Sequence, residues 1–153
     1  MLKNTLLIMF VVPALVFSEC YDGFSEIEGE CYWFGDLAVL EEFISNSELD
    51  ISPLELGVQE WTNGRLSYLC TSEFDIHGCE EDYTLSGEIP TSIGSLTGLE
   101  DLRLLGNDLT GPIPETIGNL YNLNYLDLNY NQLTGILPES IGNLTEITEM
   151  YIS

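Results

Sequence analysis

The chain has 153 residues, with 26 Asp and Glu against three Lys and Arg and one His, for a formal net charge of −23. That length allows one modest domain. A surface so negative repels nucleic acid and anionic lipid, which excludes both as partners. Composition alone does not choose among the functions that remain.

Met1-Leu2-Lys3-Asn4 supplies a short positive start, and Leu6 to Phe17 is apolar apart from Pro13. This run is too short to cross a bilayer, which takes roughly 20 residues. With Val16 and Ser18 at the −3 and −1 positions, it reads as a secretory signal peptide over 1–18, so the protein is expected to be secreted or at the cell surface. Loss of the leader removes Lys3, leaving Arg65 and Arg103 as the cations. Phe17-Ser18-Glu19 ahead of Cys20 does not make a lipoprotein box.

Four cysteines in an exported chain point to disulfides. Three pairings are open. Cys20–Cys31 with Cys70–Cys79 is the choice made here, because each pair brackets a short polar loop. Neither the cysteine spacing nor the single His77 suits a zinc site.

Leu37, Leu40, Phe43 and Ile44 lie on one face of a helix that starts after Asp36 as N-cap. From Ile44 to Glu55 the chain has the outline of a calcium loop with Glu55 in the last position. However, Ile44 and Leu49 stand where an acid and a glycine are required, so a plain acidic linker is expected. After Trp61, Arg65-Leu66-Ser67-Tyr68-Leu69 reads as a strand, followed by a loop pinned by Cys70 and Cys79.

From Leu85 the sequence repeats every 24 residues. Leu85, Leu109 and Leu133 align, as do Gly87, Gly111 and Gly135, then Pro90, Pro114 and Pro138, and then Ile93, Ile117 and Ile141. A fixed period of this length marks a solenoid, in which one unit cannot bury its apolar face and must stack on its neighbours. Leu99-x-x-Leu102-x-Leu104 and Leu123-x-x-Leu126-x-Leu128 alternate as short half-buried strands do. Asn107 and Asn131 close these strands, where a buried amide can pair with backbone groups of its own turn and the next coil.

The stretch Leu85–Leu144 resembles the plant-type leucine-rich repeat, LxxLxxLxLxxNxLxGxIPxxIGxL. That pattern is found in receptor-like kinase ectodomains and polygalacturonase-inhibitor proteins; Gly135-Ile136-Leu137-Pro138 departs from it mildly. The resemblance implies an α/β solenoid: a right-handed leucine-rich-repeat arc with a parallel concave sheet and a second short strand around the LxGxIP segment. Residues 19–83 are then a cysteine-containing, mixed helical N-terminal cap, loosely similar to caps in those families, and 84–153 carry the repeats with the last unit truncated.

The strand pattern puts Glu100, Asp101, Arg103 and Leu105 on the concave face of one coil. The next coil contributes Asn124, Tyr125, Asp127, Asn129 and Tyr130, and the last Thr148, Glu149 and Tyr151. Tyrosines among acids and amides suit an extracellular protein or glycan ligand. The expected function is a secreted binding module. The alternatives are a structural or adhesive surface protein, or an inhibitor of a secreted hydrolase. No enzyme is expected, because there is no GxSxG and nothing singles out a catalytic carboxylate pair. No cofactor, metal or membrane insertion is expected either. Asn143-Leu144-Thr145 is a glycosylation sequon, and the C-terminal strand edge is expected to continue into further chain or to dock on a partner.

Overall fold

A computed structural model describes residues 20–72, 79 and 83–153; the leader expected over 1–18 and His77 lie outside the described residues. Strands β1 (Phe24–Ile27) and β2 (Glu30–Trp33) form an antiparallel hairpin. Its turn, Glu28 and Gly29, has φ of 54° and 90°. A two-residue hairpin turn needs such left-handed backbone to match the twist of its strands.

Helix α1 (Phe34–Asn46) follows at once and buries Leu37, Leu40, Phe43 and Ile44, the face read from the sequence. Asp36 is not its N-cap. Trp33 holds that position without a capping hydrogen bond. The helix therefore begins earlier than its apolar spacing implied, and Asp36 lies inside its first turn with 0% exposure. Its carboxylate accepts Arg65 Nε at 2.8 Å and Nη2 at 2.9 Å, and also the backbone N–H of Leu66 at 2.9 Å. The guanidinium lies 5.5 Å from the centre of the Trp33 ring, joining helix, hairpin and sheet at one point.

A second hairpin, β3 (Val58–Thr62) with β4 (Arg65–Cys70), turns at Asn63 and Gly64 with φ of 53° and 74°. Short strands then alternate down the chain: β5 (Ser86–Glu88), β6 (Asp101–Arg103), β7 (Asp108–Pro112), β8 (Tyr125–Asp127), β9 (Gln132–Thr134) and β10 (Glu149–Tyr151). They build two sheets. The larger has the order β10-β8-β6-β4-β3 and is parallel from β4 onward, while β5-β7-β9 form a second parallel sheet. From β6 onward the partners in the larger sheet are 24 residues apart, Asp101 with Tyr125 and Tyr125 with Glu149, so the sequence period is the register there; in the second sheet Ser86 pairs with Asp108 and Thr110 with Gln132. β4 takes the place of a first repeat strand, with Tyr68 beside Asp101. Single 3₁₀ turns, Thr91–Ser95, Glu115–Asn119 and Glu139–Asn143, close each coil after a proline.

The core is continuous along the stack. Leu85, Ile93, Leu96, Leu99, Leu102, Leu104 and their counterparts one coil on pack in one cluster with Leu66, Leu69 and the buried face of α1. The amides expected to be structural run between coils. Asn107 Oδ1 accepts Leu85 N–H at 2.8 Å, and its Nδ2 donates to the Thr71 and Leu104 carbonyls at 3.1 Å each. Asn131 does the same one coil later, accepting from Leu109 N–H at 3.0 Å and donating to Leu104 O at 2.7 Å. Both reach to the preceding coil, where a following one was expected.

Glycine matters most where coils touch. A Cβ on Gly118 would strike the Ser140 backbone oxygen of the next coil, whereas one on Gly142 would meet nothing within 4 Å. Gly118→Ala is therefore expected to lower stability by about 1–3 kcal/mol through overpacking. Gly142→Ala should be neutral or slightly stabilising. Paired urea titrations of the two variants check this. Equal effects would mean that the turns do not stack as described.

Candidate functional site

In the larger sheet Leu69, Leu102 and Leu126 point into the core. Alternation along a strand then sends their neighbours to the opposite face. There Tyr68, Arg103, Tyr125 and Tyr151 form a row across β4, β6, β8 and β10. The Arg103 guanidinium lies 4.3 Å from the Tyr125 ring centre and 5.6 Å from that of Tyr68. Tyr125 and Tyr151 are 5.7 Å apart, tilted by 47°. Asp101 clamps Arg103 with two bonds, Nε to Oδ1 at 2.8 Å and Nη2 to Oδ2 at 2.7 Å. This bidentate geometry fixes the plane of the guanidinium over the tyrosines. Tyr151 donates its hydroxyl proton to Glu149 at 2.9 Å.

The electrostatics follow from this packing. Hydrogen bonding to Asp101 raises the Arg103 pKa. Desolvation raises those of Tyr68 and Tyr125, and Asp127 adds to the rise at Tyr125. At Tyr151 the main cause is its hydrogen bond to Glu149. Three phenols thus titrate above the ordinary value of about 10. A pKa raised on folding stabilises the fold below the unfolded value, and that contribution is lost as pH climbs through the folded value. Stability is therefore expected to fall above about pH 10, and part of the phenolate absorbance should appear late in an alkaline titration. A single transition at the ordinary value for all eight tyrosines would contradict the packed row.

The other sequence-derived positions divide. Leu105 was expected on the open face and is 4% exposed. The backbone ladder runs on past β6 (Leu104 N–H to Asp127 O at 2.8 Å, Gly106 N–H to Asn129 O at 2.9 Å), so Leu105 is enclosed beside the next coil. Asp127 is also withdrawn, at 7% exposure. Its carboxylate accepts the Asn129 backbone N–H at 3.0 Å, a turn-holding role. Asn129 is half-buried and accepts a hydrogen bond from Ser153 Oγ at 2.9 Å. Tyr130 is 68% exposed, with φ of 55°. Glu100, Asn124 and Thr148 are exposed just ahead of β6, β8 and β10. Tyr68 was missed because the 24-residue frame does not extend back to it, although Leu69 facing inward would have placed it outward.

Both disulfides form in the pairing chosen from sequence, Cys20–Cys31 and Cys70–Cys79. In the acidic stretch, Glu55 accepts the Ser52 backbone N–H and hydroxyl at 2.8 Å each, as a cap on the 3₁₀ turn Pro53–Glu55. These bonds lower the Glu55 pKa. Among the described residues no group of three or more His, Cys, Asp or Glu could hold a metal ion, and no helix is long and apolar enough to cross a membrane.

Residues 97–153 match the family described as leucine rich repeat. Over these residues the chain resembles leucine-rich repeats of the plant type. Among solved structures, the leucine-rich-repeat ectodomain of the receptor kinase SOBIR1 from Arabidopsis thaliana is similar over 78% of this chain and 66% of its own, with TM-score 0.62 and 23% identity. A BIR3–SERK2 complex from the same plant is 26% identical, with TM-score 0.55, over 75% of this chain and 66% of that one. A plant ice-binding protein is similar at TM-score 0.59 and 24% identity, over 77% and 39%. This chain spans less than two thirds of each of these proteins. The first and third likenesses are of fold. No curated protein sequence matches the chain.

Proposed function

We propose that this protein is a secreted binding module that recognises an extracellular protein through the open face of its larger sheet, and that it acts by recognition, without catalysis. The observation that carries this reading is the Tyr68–Arg103–Tyr125–Tyr151 row. It is an aromatic strip whose Arg103 and Tyr151 are held by Asp101 and Glu149. Tyrosine and arginine carry binding energy out of proportion to their area, because they present large surface at low entropic cost. The 26% identity to a protein in the BIR3–SERK2 complex, itself an assembly of two proteins, supports a protein ligand ahead of a glycan. The sheet face is read as the concave side of a right-handed arc. Residues 19–83, with α1 laid against β5, are read as its N-terminal cap, and 84–153 as the repeats. The apolar leader and two disulfides support export into an oxidising compartment.

The test is a surface-binding screen of extracellular proteins against the immobilised protein, followed by variants. Tyr125→Ala with Tyr151→Ala is expected to weaken a captured partner at least about tenfold, as loss of central aromatic anchors does. Gln132→Ala, on the second sheet, should leave the affinity unchanged. Equal affinity for all variants would place recognition elsewhere.

A further inference from the structure

Asn143-Leu144-Thr145 is the one N-glycosylation sequon of the sequence, and recognition on the sheet face makes no use of it. It spans the exit from the 3₁₀ turn Glu139–Asn143, ahead of β10. We propose that Asn143 carries an N-linked oligosaccharide, presented on the flank of the stack by the turn that ends each coil's 3₁₀ segment.

The sequon is held in a defined turn. Thr145 N–H bonds to Asn143 O at 2.9 Å across Leu144, which has φ of −77° and ψ of 73°. These are the marks of an inverse γ-turn. Leu144 is 3% exposed and ties the turn to the core, while Asn143 and Thr145 on either side of it are exposed. Asn107, Asn122, Asn124 and Asn131 donate their amide N–H groups to backbone carbonyls. Among the described residues the Asn143 side chain has no such partner.

The same position is open in every coil. Ser95 and Asn119 end the turns Thr91–Ser95 and Glu115–Asn119 as Asn143 ends its own, and both are exposed. The coil of Asn119 is covered on both sides: a Cβ on Gly94 would strike Thr116 O, and one on Gly118 would strike Ser140 O. Asn119 is exposed all the same, so the way a coil turns is what leaves this position open. A bulky, hydrated oligosaccharide is accommodated only at the surface. Attached at Asn143 it leaves the coil contacts undisturbed, on the turn side and apart from the Tyr125–Tyr151 row.

The transfer balances without an oxidant or reductant. Asn143 Nδ2 forms a bond to the anomeric carbon of an oligosaccharide carried on a lipid diphosphate. The bond from that carbon to the diphosphate oxygen breaks, the lipid diphosphate leaves, and one amide proton passes to a base of the transferase. Thr145 supplies the hydroxyl that the acceptor pattern requires two residues on. The inference rests on the reading of 1–18 as an export leader, because the lipid-linked donor is met inside the secretory pathway.

The experiment is intact-mass analysis of the full chain secreted by a eukaryotic cell under its own leader, before and after peptide N-glycosidase. A glycosidase-sensitive increment of one oligosaccharide is expected, lost in both Asn143→Gln and Thr145→Ala. Both positions are exposed, so the fold is retained. Tyr121→Thr supplies the missing hydroxyl after Asn119, in the same turn one coil earlier, and should add a second oligosaccharide. A version with 1–18 exchanged for a leader of proven export separates the two readings. Retention in the cell under the native leader alone would count against export, and the increment is then read on the exchanged version. A secreted chain of unmodified mass, or an increment that survives in Asn143→Gln, would overturn the inference. Failure of Tyr121→Thr to add a second oligosaccharide would overturn the part given to the turn.

Discussion

Arg65→Leu is expected to lower the unfolding free energy by about 3–5 kcal/mol, because it strands a buried carboxylate without its counter-charge. Arg65 itself is 29% exposed at its side chain and could be rehydrated, whereas Asp36 is at 0% and cannot. The cost therefore comes from Asp36. Asp36→Leu in the same background should recover much of the loss, since replacing both members of a buried pair with apolar groups is often close to neutral. Recovery will be incomplete, because the Leu66 N–H also loses its acceptor. Urea unfolding of the wild type, both single variants and the double variant gives the coupling directly. A loss below about 1 kcal/mol for Arg65→Leu would mean that the pair is solvated in solution, and that α1 is not fixed to the sheet in this way.

Asn107→Ala should cost about 2–4 kcal/mol. Three buried backbone groups, Leu85 N–H and the carbonyls of Thr71 and Leu104, take their hydrogen bonds from this one amide. Each group left unpaired costs about 1–3 kcal/mol. The total is less than the simple sum because Leu104 O keeps its bond from Asn131 Nδ2. Asn107→Asp separates the two halves of the amide: it retains an acceptor for Leu85 N–H and loses the donor to the preceding coil. It should be at least as damaging as alanine, since it also buries a charge. Asn131→Ala, at a position only half-buried, should cost less. Denaturant midpoints for the three variants rank them. If Asn107→Ala were no worse than a surface substitution, the amide ladder would not be holding the coils.

The repeats were legible because their period is a mechanical constraint. Leucines 24 residues apart occupy the same slot in successive coils, so the sequence period became the sheet register without further information. The second sheet is anticipated only through the resemblance to plant-type repeats, which implies a short strand around the LxGxIP segment. The N-terminal hairpins were not foreseen, although Asn63-Gly64 is the type of pair that two-residue turns favour. The apolar alternation in the flanking strands is too broken to draw attention to them. An acid ahead of an apolar helical face reads as a cap, which is why sequence puts Asp36 there. Its partner Arg65 lies 29 residues away, and such a pair has no local signature. On the open face of the larger sheet, strand alternation puts Arg103, Tyr125, Glu149 and Tyr151 on the side where the structure has them. It does not foresee that Leu105, beyond the end of β6, is enclosed, or that Asp127, in register with Arg103 and Tyr151 on the same face, is nearly covered by its neighbours. The Asp101–Arg103 clamp joins residues two apart on one strand face, a geometry set by side-chain rotamers that sequence does not reveal.

Residue-resolved hydrogen exchange on the native protein tests most directly whether successive coils hold one another up. Leu104 N–H bonds to Asp127 O, and the amides of Leu85 and Leu109 bond to the asparagine side chains. These three are predicted to exchange only through global opening, as amides deep in a cooperative unit do. The amides of Tyr121 and Asn122, on the outer rim, should exchange through local fluctuation and much faster. If Leu85, Leu104 and Leu109 exchanged as fast as Tyr121 and Asn122, the coils would not be stacked in solution and the ordered sheet face proposed for recognition would be lost.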